Sequence, residues 1–259
     1  MDKGTILGVI VAVGAIVLGL LLEGGRLAQV LQPTAALIVF GGTLGATMVQ
    51  YPFGVVATAF RGLARIVFMP KSDPRSLIKE IVQLAYKARR AGLVSLDNDL
   101  ATLTDPFLRK CVMLAVDGTE PRELRKMMEL EMETQMEHGE NGPRVFESAG
   151  AFSPTIGIIG AVLGLIQVMQ RLDDISEVGR GIAVAFVATL YGVGAANLFL
   201  LPSAGKLRIR LLEEQVIRKM TLEGVISIME GMNPRMIEAK LVSFWAEMPA
   251  QAAEPRVAA

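Results

Sequence analysis

SAGAFSPTIGIIGAVLGLIQVMQ, residues 148–170, contains no charged side chain. About 20 apolar residues suffice for a helix to cross a hydrocarbon core of about 30 Å. Helix is the required form, because an isolated strand would leave backbone donors and acceptors unpaired in lipid. Three more stretches share the property: Gly4–Leu22, Thr34–Ala59 and Gly181–Ser203. They form two close pairs, so the sequence predicts an all-α membrane protein with four transmembrane helices in a two-plus-two arrangement. A cleaved signal peptide is a poor reading of the first stretch. Its apolar run is too long, and Glu23-Gly24-Gly25-Arg26 does not suit a peptidase.

Lysine and arginine orient the spans. The block 60–147 carries basic residues from Arg61 to Arg144, and Lys206, Arg208 and Arg210 follow span four at once. The short connections hold only Arg26, and Arg171 with Arg180. Positive charge stays inside, so block, tail and both termini are expected in the cytoplasm. The balanced totals of 26 basic and 26 acidic residues conceal this polarity and give no sign of nucleic-acid binding. Cys111 is alone, so the chain can form no internal disulfide. His138, also alone, reads as a solvated surface residue.

The block reads as helices. Asp73-Pro74 opens one, with Leu77, Ile78, Ile81, Val82, Ala85 and Ala88 as its apolar stripe and Gly92 as its end. A short helix capped by Ser95 runs through Leu103, and another covers Pro106–Asp117. Thr119-Glu120-Pro121 starts a fourth, in which Leu124, Met127, Met128, Leu130, Met132 and Met136 alternate with glutamates until Gly139 stops it. After span four, Lys206–Met232 reads as a long amphipathic helix, and Asn233-Pro234 caps a last helix through Trp245. Residues 249–259 have little to bury and predict disorder. The domain plan is a membrane pair (1–59), a cytoplasmic block (60–147), a second membrane pair (148–203), cytoplasmic helices (204–248) and a tail. No phosphate loop, metal pattern or nucleophile–base motif supports an enzyme or a bound cofactor.

The second pair of spans differs from the first. Gly150, Ser153, Gly157, Gly160, Ala161 and Gly164 recur every three or four residues in span three; Ala185, Ala188, Thr189, Gly192, Ala195 and Ala196 do so in span four. Small residues let helices approach closely in lipid, where apolar association is weak. These faces fit packing within the chain or a groove around a partner's helix. Pro154 interrupts the backbone bonding of span three, and Pro202 is expected to end span four. A transport path normally contains an ionisable group. Since no span carries an acid, either the chain is structural or a second protein supplies the carboxylate.

Four segments resemble one family. Residues 153–164 (SPTIGIIGAVLG) resemble the third membrane helix of the MotA/PomA flagellar stator subunits. Ala188-Thr189-Leu190-Tyr191-Gly192, with Pro202 ten residues on, resembles the fourth. Arg89–Asp97 resembles their R-x-x-G-x-x-S-L-acid segment, and Glu223–Pro234 also matches. The related TolQ and ExbB energisers have one span before the loop, so the first pair of spans argues against that alternative.

The resemblance implies the A subunit of a flagellar stator in the bacterial inner membrane. It implies a ring of A subunits, a pentamer in the family, around helices of a MotB-like B subunit whose Asp carries the ion. It implies that Pro154 and Pro202 serve ion-coupled conformational change and that Thr189 faces the partner's Asp. Arg89 and Asp97, with neighbouring Arg90, match the side chains that meet the rotor switch protein FliG; Asp97 stands where the family has glutamate. Sodium-driven relatives carry hydroxyls at the positions of Ala161 and Ala188, so the translocated ion is expected to be a proton.

Overall fold

The computed structural model describes residues 3–68, 74–170 and 172–246. The chain divides into two compact units, one of residues 1–70 with 139–209 and the other of residues 71–138 with 210–259. The expected cap Asp73, connecting Arg171 and tail 249–259 lie outside the described residues.

The first unit is the membrane unit. Helix α1 (Lys3–Leu22) has 20 residues, about 30 Å at 1.5 Å per residue. A turn at Gly24 (φ 79°) leads through the short α2 (Leu27–Val30) to α3 (Pro33–Ala36), a π turn (Leu37–Gly41) and α4 (Gly42–Gln50). Together Pro33–Gln50 forms one apolar helical stretch of 18 residues. The predicted second span, Thr34–Ala59, is therefore not one helix. Tyr51 is extended (φ −124°, ψ 142°) and a separate helix α5 (Phe53–Phe68) begins after Pro52. Proline disfavours helical backbone at the residue before it, which places the break at Tyr51.

Two long helices complete the unit. Helix α8 (Pro121–Gln170) runs 50 residues without a break and contains the third span. The stop expected at Gly139 does not occur. A glycine inside a helix costs only about 1 kcal/mol, and just beyond it Val145 and Phe146 are buried with Val56, Ala59 and Ala204. Helix α9 (Ile175–Ala195) continues through a second π turn (Ala196–Leu200) into α10 (Leu201–Met229). Pro202 thus lies inside a continuous helix instead of ending it. The wide turn immediately before it, where Leu201 N–H donates to the Ala196 carbonyl, already departs from regular α bonding.

The second unit is a helical core. Helix α6 (Pro74–Ala91) buries Leu77, Ile78, Ile81, Leu84 and Ala85 and ends at Gly92, whose φ of 80° favours glycine. Helix α7 (Pro106–Val116) is capped by Asp105, which accepts from Leu108 N at 2.7 Å. Leu124, Met128 and Met132 of α8 are buried in this core, whereas the predicted apolar members Met127 and Leu130 are exposed. The end of α10 and helix α11 (Pro234–Ala246) close it; Asn233 Oδ1 accepts from Arg235 N as its sequence position predicts. Ser95 starts no α-helix. It lies within a 3₁₀ stretch (Leu93–Asp99), and its hydroxyl turns back to donate to the Gly92 carbonyl at 2.7 Å. His138 is exposed.

A charged clamp holds this core. Glu223 on α10 accepts from Arg125 on α8 and from Lys240 on α11, the latter at 2.7 Å. Burial alone would raise the Glu223 carboxyl, but the hydrogen bonds and charges of Arg125 and Lys240 outweigh it and hold the group below its ordinary value. Arg125 is raised in turn, chiefly by its bond to Glu223.

Candidate conduit wall and exposed charged helix end

Glycines bring α8 and α9 into backbone contact. A Cβ on Gly157 would lie 2.9 Å from the Ala188 carbonyl oxygen, and one on Gly164 would lie 2.8 Å from that of Gly181. Gly160 faces the Ala188 methyl, where a Cβ would come to 2.8 Å. The predicted ladders of small residues therefore meet each other within one chain. Dispersion and close backbone approach hold such helices together in lipid.

This contact fixes the candidate residues unequally. Pro154 and Gly192 adjoin, and Gly157 adjoins Thr189, so Pro154 and Thr189 flank the same crossing. Thr189 is half-buried, and its hydroxyl donates to the Ala185 carbonyl at 3.2 Å, leaving its oxygen able to accept. Ala161 is half-buried. Ala188 is fully buried with Ala35 and Val39 and faces Gly160, so its methyl fills the contact between helices. Pro202 is exposed and lies 13 residues beyond Thr189, about 20 Å along the helix; it is not brought to that crossing. Asn197 and Thr155 add exposed polar groups, each bonded to its own helix. Among the described residues no group of three His, Cys, Asp or Glu side chains could hold a metal ion.

Tyr191 ties α9 to the segment that leads into the second span. Its hydroxyl donates to the Val30 carbonyl at 2.6 Å and accepts from Gln32 N at 3.3 Å, while its ring stacks on Phe40. Tyr191 stands in a motif that names no partner for it, because both bonds join residues about 160 positions apart.

The charged candidates sit on the second unit, where α6 meets the 3₁₀ stretch. Arg89, Arg90 and Asp97 are all exposed. Val94 between them is 72% exposed, a large apolar side chain amid charge. Beneath them Lys87 Nζ binds both carboxylate oxygens of Asp99, at 2.9 and 2.7 Å. This clip was not legible in advance, since a separation of 12 residues matches no helical pair spacing.

The site and fold define a multi-span helical membrane protein with a close pair of acid-free spans and a charged helical unit. Residues 6–92 match the family described as motility protein A N-terminal, and residues 99–220 match the MotA/TolQ/ExbB proton channel family. Motility protein A of Bacillus subtilis is 34% identical over 248 residues, covering 94% of this chain and 91% of that protein. Chemotaxis protein PomA of Vibrio alginolyticus is 32% identical, covering 94% of this chain and 95% of that protein. A solved structure of C. jejuni MotAB superposes with a TM-score of 0.91 at 31% identity, over 100% of this chain and 99% of that one. The flagellar MotAB stator complex from Bacillus subtilis gives 0.87 at 33%, over 98% and 100%. The chain belongs to the MotA/TolQ/ExbB proton channel family.

Proposed function

We infer that this chain is the A subunit of a flagellar motor stator, coupling ion flow across the bacterial inner membrane to torque on the rotor. The observation that carries the reading is similarity along essentially the whole chain to motility A proteins and to MotAB stator structures. It is not an enzyme. It works in an oligomeric complex with a MotB-like B subunit. Because the spans of this chain carry no acid, that partner must supply the membrane carboxylate.

The finer assignments rest on chemistry and on family resemblance. The A subunits form a pentameric ring around the B-subunit helices. Thr189 presents its hydroxyl to the partner's Asp, and the interrupted backbone at Pro154, beside Gly192, lets α8 respond as that Asp gains or loses its ion. Pro202, next to the wide turn, gives α9–α10 a second place to adjust. Arg89, Arg90 and Asp97 meet charged groups of the rotor switch protein FliG. The segment 60–147 then works as the torque-generating part, 1–59 as scaffold and 148–203 as conduit wall.

Protons are the proposed ion. Sodium requires several oxygen ligands in place of its water, and Ala161 and Ala188 supply none. Swimming speed with sodium removed at constant proton-motive force tests this: speed should persist, and a motor that stops refutes the proton assignment. Purification with the B-type subunit tests the stator reading itself. A periplasmic TonB- or TolA-like partner in its place would favour an energiser of the TolQ/ExbB kind.

A further inference from the structure

Leu93–Asp99 is a 3₁₀ helix of 7 residues. Such runs seldom exceed about three or four residues, because their hydrogen bonds are poorly aligned. This one is held at both ends. Gly92, at φ 80°, turns the chain into it, and the Ser95 hydroxyl returns to the Gly92 carbonyl at 2.7 Å. At the far end Lys87 Nζ grips both carboxylate oxygens of Asp99, and the Thr102 hydroxyl donates to the Asp99 carbonyl at 2.7 Å.

The period of three sorts the side chains into rows, since residues three apart eclipse one another in a 3₁₀ helix. Leu93, Leu96 and Asp99 share one row. Leu96 is buried in the core and Leu93 packs against it, while Asp99 reaches Lys87 on α6. Val94 and Asp97 share the next row, and both are exposed. An α-helix would fall about 60° short of a full circle over the same three residues. Asp99 would then leave the row of Leu96, and Asp97 would swing relative to α6. The ion pair therefore has a consequence beyond its own contact: it fixes where Asp97 stands with respect to Arg89 and Arg90. Those three residues and the pair are the only charged side chains between positions 87 and 99.

We propose that Lys87 and Asp99 are positioning residues for rotor contact. Their ion pair holds the 3₁₀ register and so sets the spacing of Asp97 from Arg89 and Arg90, the charges offered to the rotor. The same register keeps Val94 outside the core, at the centre of that surface. This inference rests on the rotor reading of Arg89 and Asp97.

The test compares motor torque in cells with ion flux through the purified complex in liposomes. Lys87→Met keeps the apolar stem and removes the ammonium; Asp99→Asn keeps the shape and removes the charge. Each should lower torque about threefold, as loss of a supporting contact loosens a site, while flux and the amount of complex in the membrane stay at wild-type values. Lys87→Arg, which can also grip both oxygens, should keep most of the torque. In an Asp97→Ala background, Asp99→Asn should cost little further torque, because residues that act through one another are not additive. A purely structural role would instead cut torque by the same factor in both backgrounds. Full torque with Arg89→Glu would remove the rotor reading and this proposal with it. Torque that falls with Arg89→Glu but holds in both Lys87→Met and Asp99→Asn would overturn the positioning role alone. Equal losses in the two backgrounds, or loss of the complex in step with torque, would overturn it as well.

Discussion

A methyl group added to Gly192 would lie 2.6 Å from the carbonyl oxygen of Ser153 and 3.2 Å from the Cα of Pro154. Both obstacles are backbone, so neither can rotate away, and α8 and α9 would have to separate. Overpacking of this kind costs about 1–3 kcal/mol. Gly192→Ala should lower the melting temperature of the purified complex and its level in the membrane. Gly194→Ala, two residues on with open space beside it, should change neither. Identical behaviour of the two variants would show that close approach at Gly192 is not needed.

Thr189 is open to a test by shape. Valine keeps its outline and loses the hydroxyl, sacrificing only the bond to the Ala185 carbonyl on the same helix. Thr189→Val should reduce ion flux in liposomes about tenfold or more, while the complex assembles at wild-type levels. Thr189→Ser should keep most of the flux. If valine abolishes assembly too, the residue serves packing and the proposed role is lost.

Arg89 and Asp97 are exposed, so their replacement should change stability by less than about 0.5 kcal/mol. Arg89→Glu should reduce swimming yet leave ion flux intact, and a compensating charge reversal on the rotor should restore motion. Asp99→Asn differs, because it opens the clip to Lys87 on which the 3₁₀ stretch rests. It should loosen that stretch in hydrogen exchange. Restoration failing for every rotor charge would exclude direct contact by Arg89.

How much of this was legible beforehand follows the range of the forces involved. The first, third and fourth spans, the charge asymmetry that orients them and the caps at Asn233 and Gly92 depend on local composition or on neighbours a few residues away, whereas the second span stops short at Tyr51. The ladder of small residues was also visible, although its first use, closing α8 onto α9, needed both helices in place. What stayed hidden was tertiary. Gly139 and Pro202 look like stops, but burial beyond Gly139 and a wide turn before Pro202 keep the helices continuous. The Tyr191 bonds and the Lys87–Asp99 clip join distant segments and leave no periodic trace.

The Glu223 clamp predicts a pH dependence of the second unit. The folded carboxyl is held below its ordinary value of 4.5, so the stability it contributes is complete above that value and is lost as pH falls through the lower folded value. Glu223→Gln should destabilise the unit by about 1–2 kcal/mol at neutral pH and flatten the acid limb of its unfolding profile. Thermal unfolding measured between pH 7 and 3 decides; parallel curves for variant and wild type would discount the clamp.

Cys111 is buried, and burial, reinforced by Glu131 and Asp105, pushes its thiol up to about 12. Thiolate is the reactive form, so maleimide at pH 7.5 should label the native protein at least a hundredfold more slowly than the unfolded one. Equal rates would mean that the core around α7 opens freely.

The spans without acid also bear on how a cell can make this protein. A subunit inserted ahead of its partner offers a crossing ion no group on which to pause within the bilayer. Surplus copies can therefore wait in the membrane without discharging it, and leakage becomes a property of the assembled machine alone.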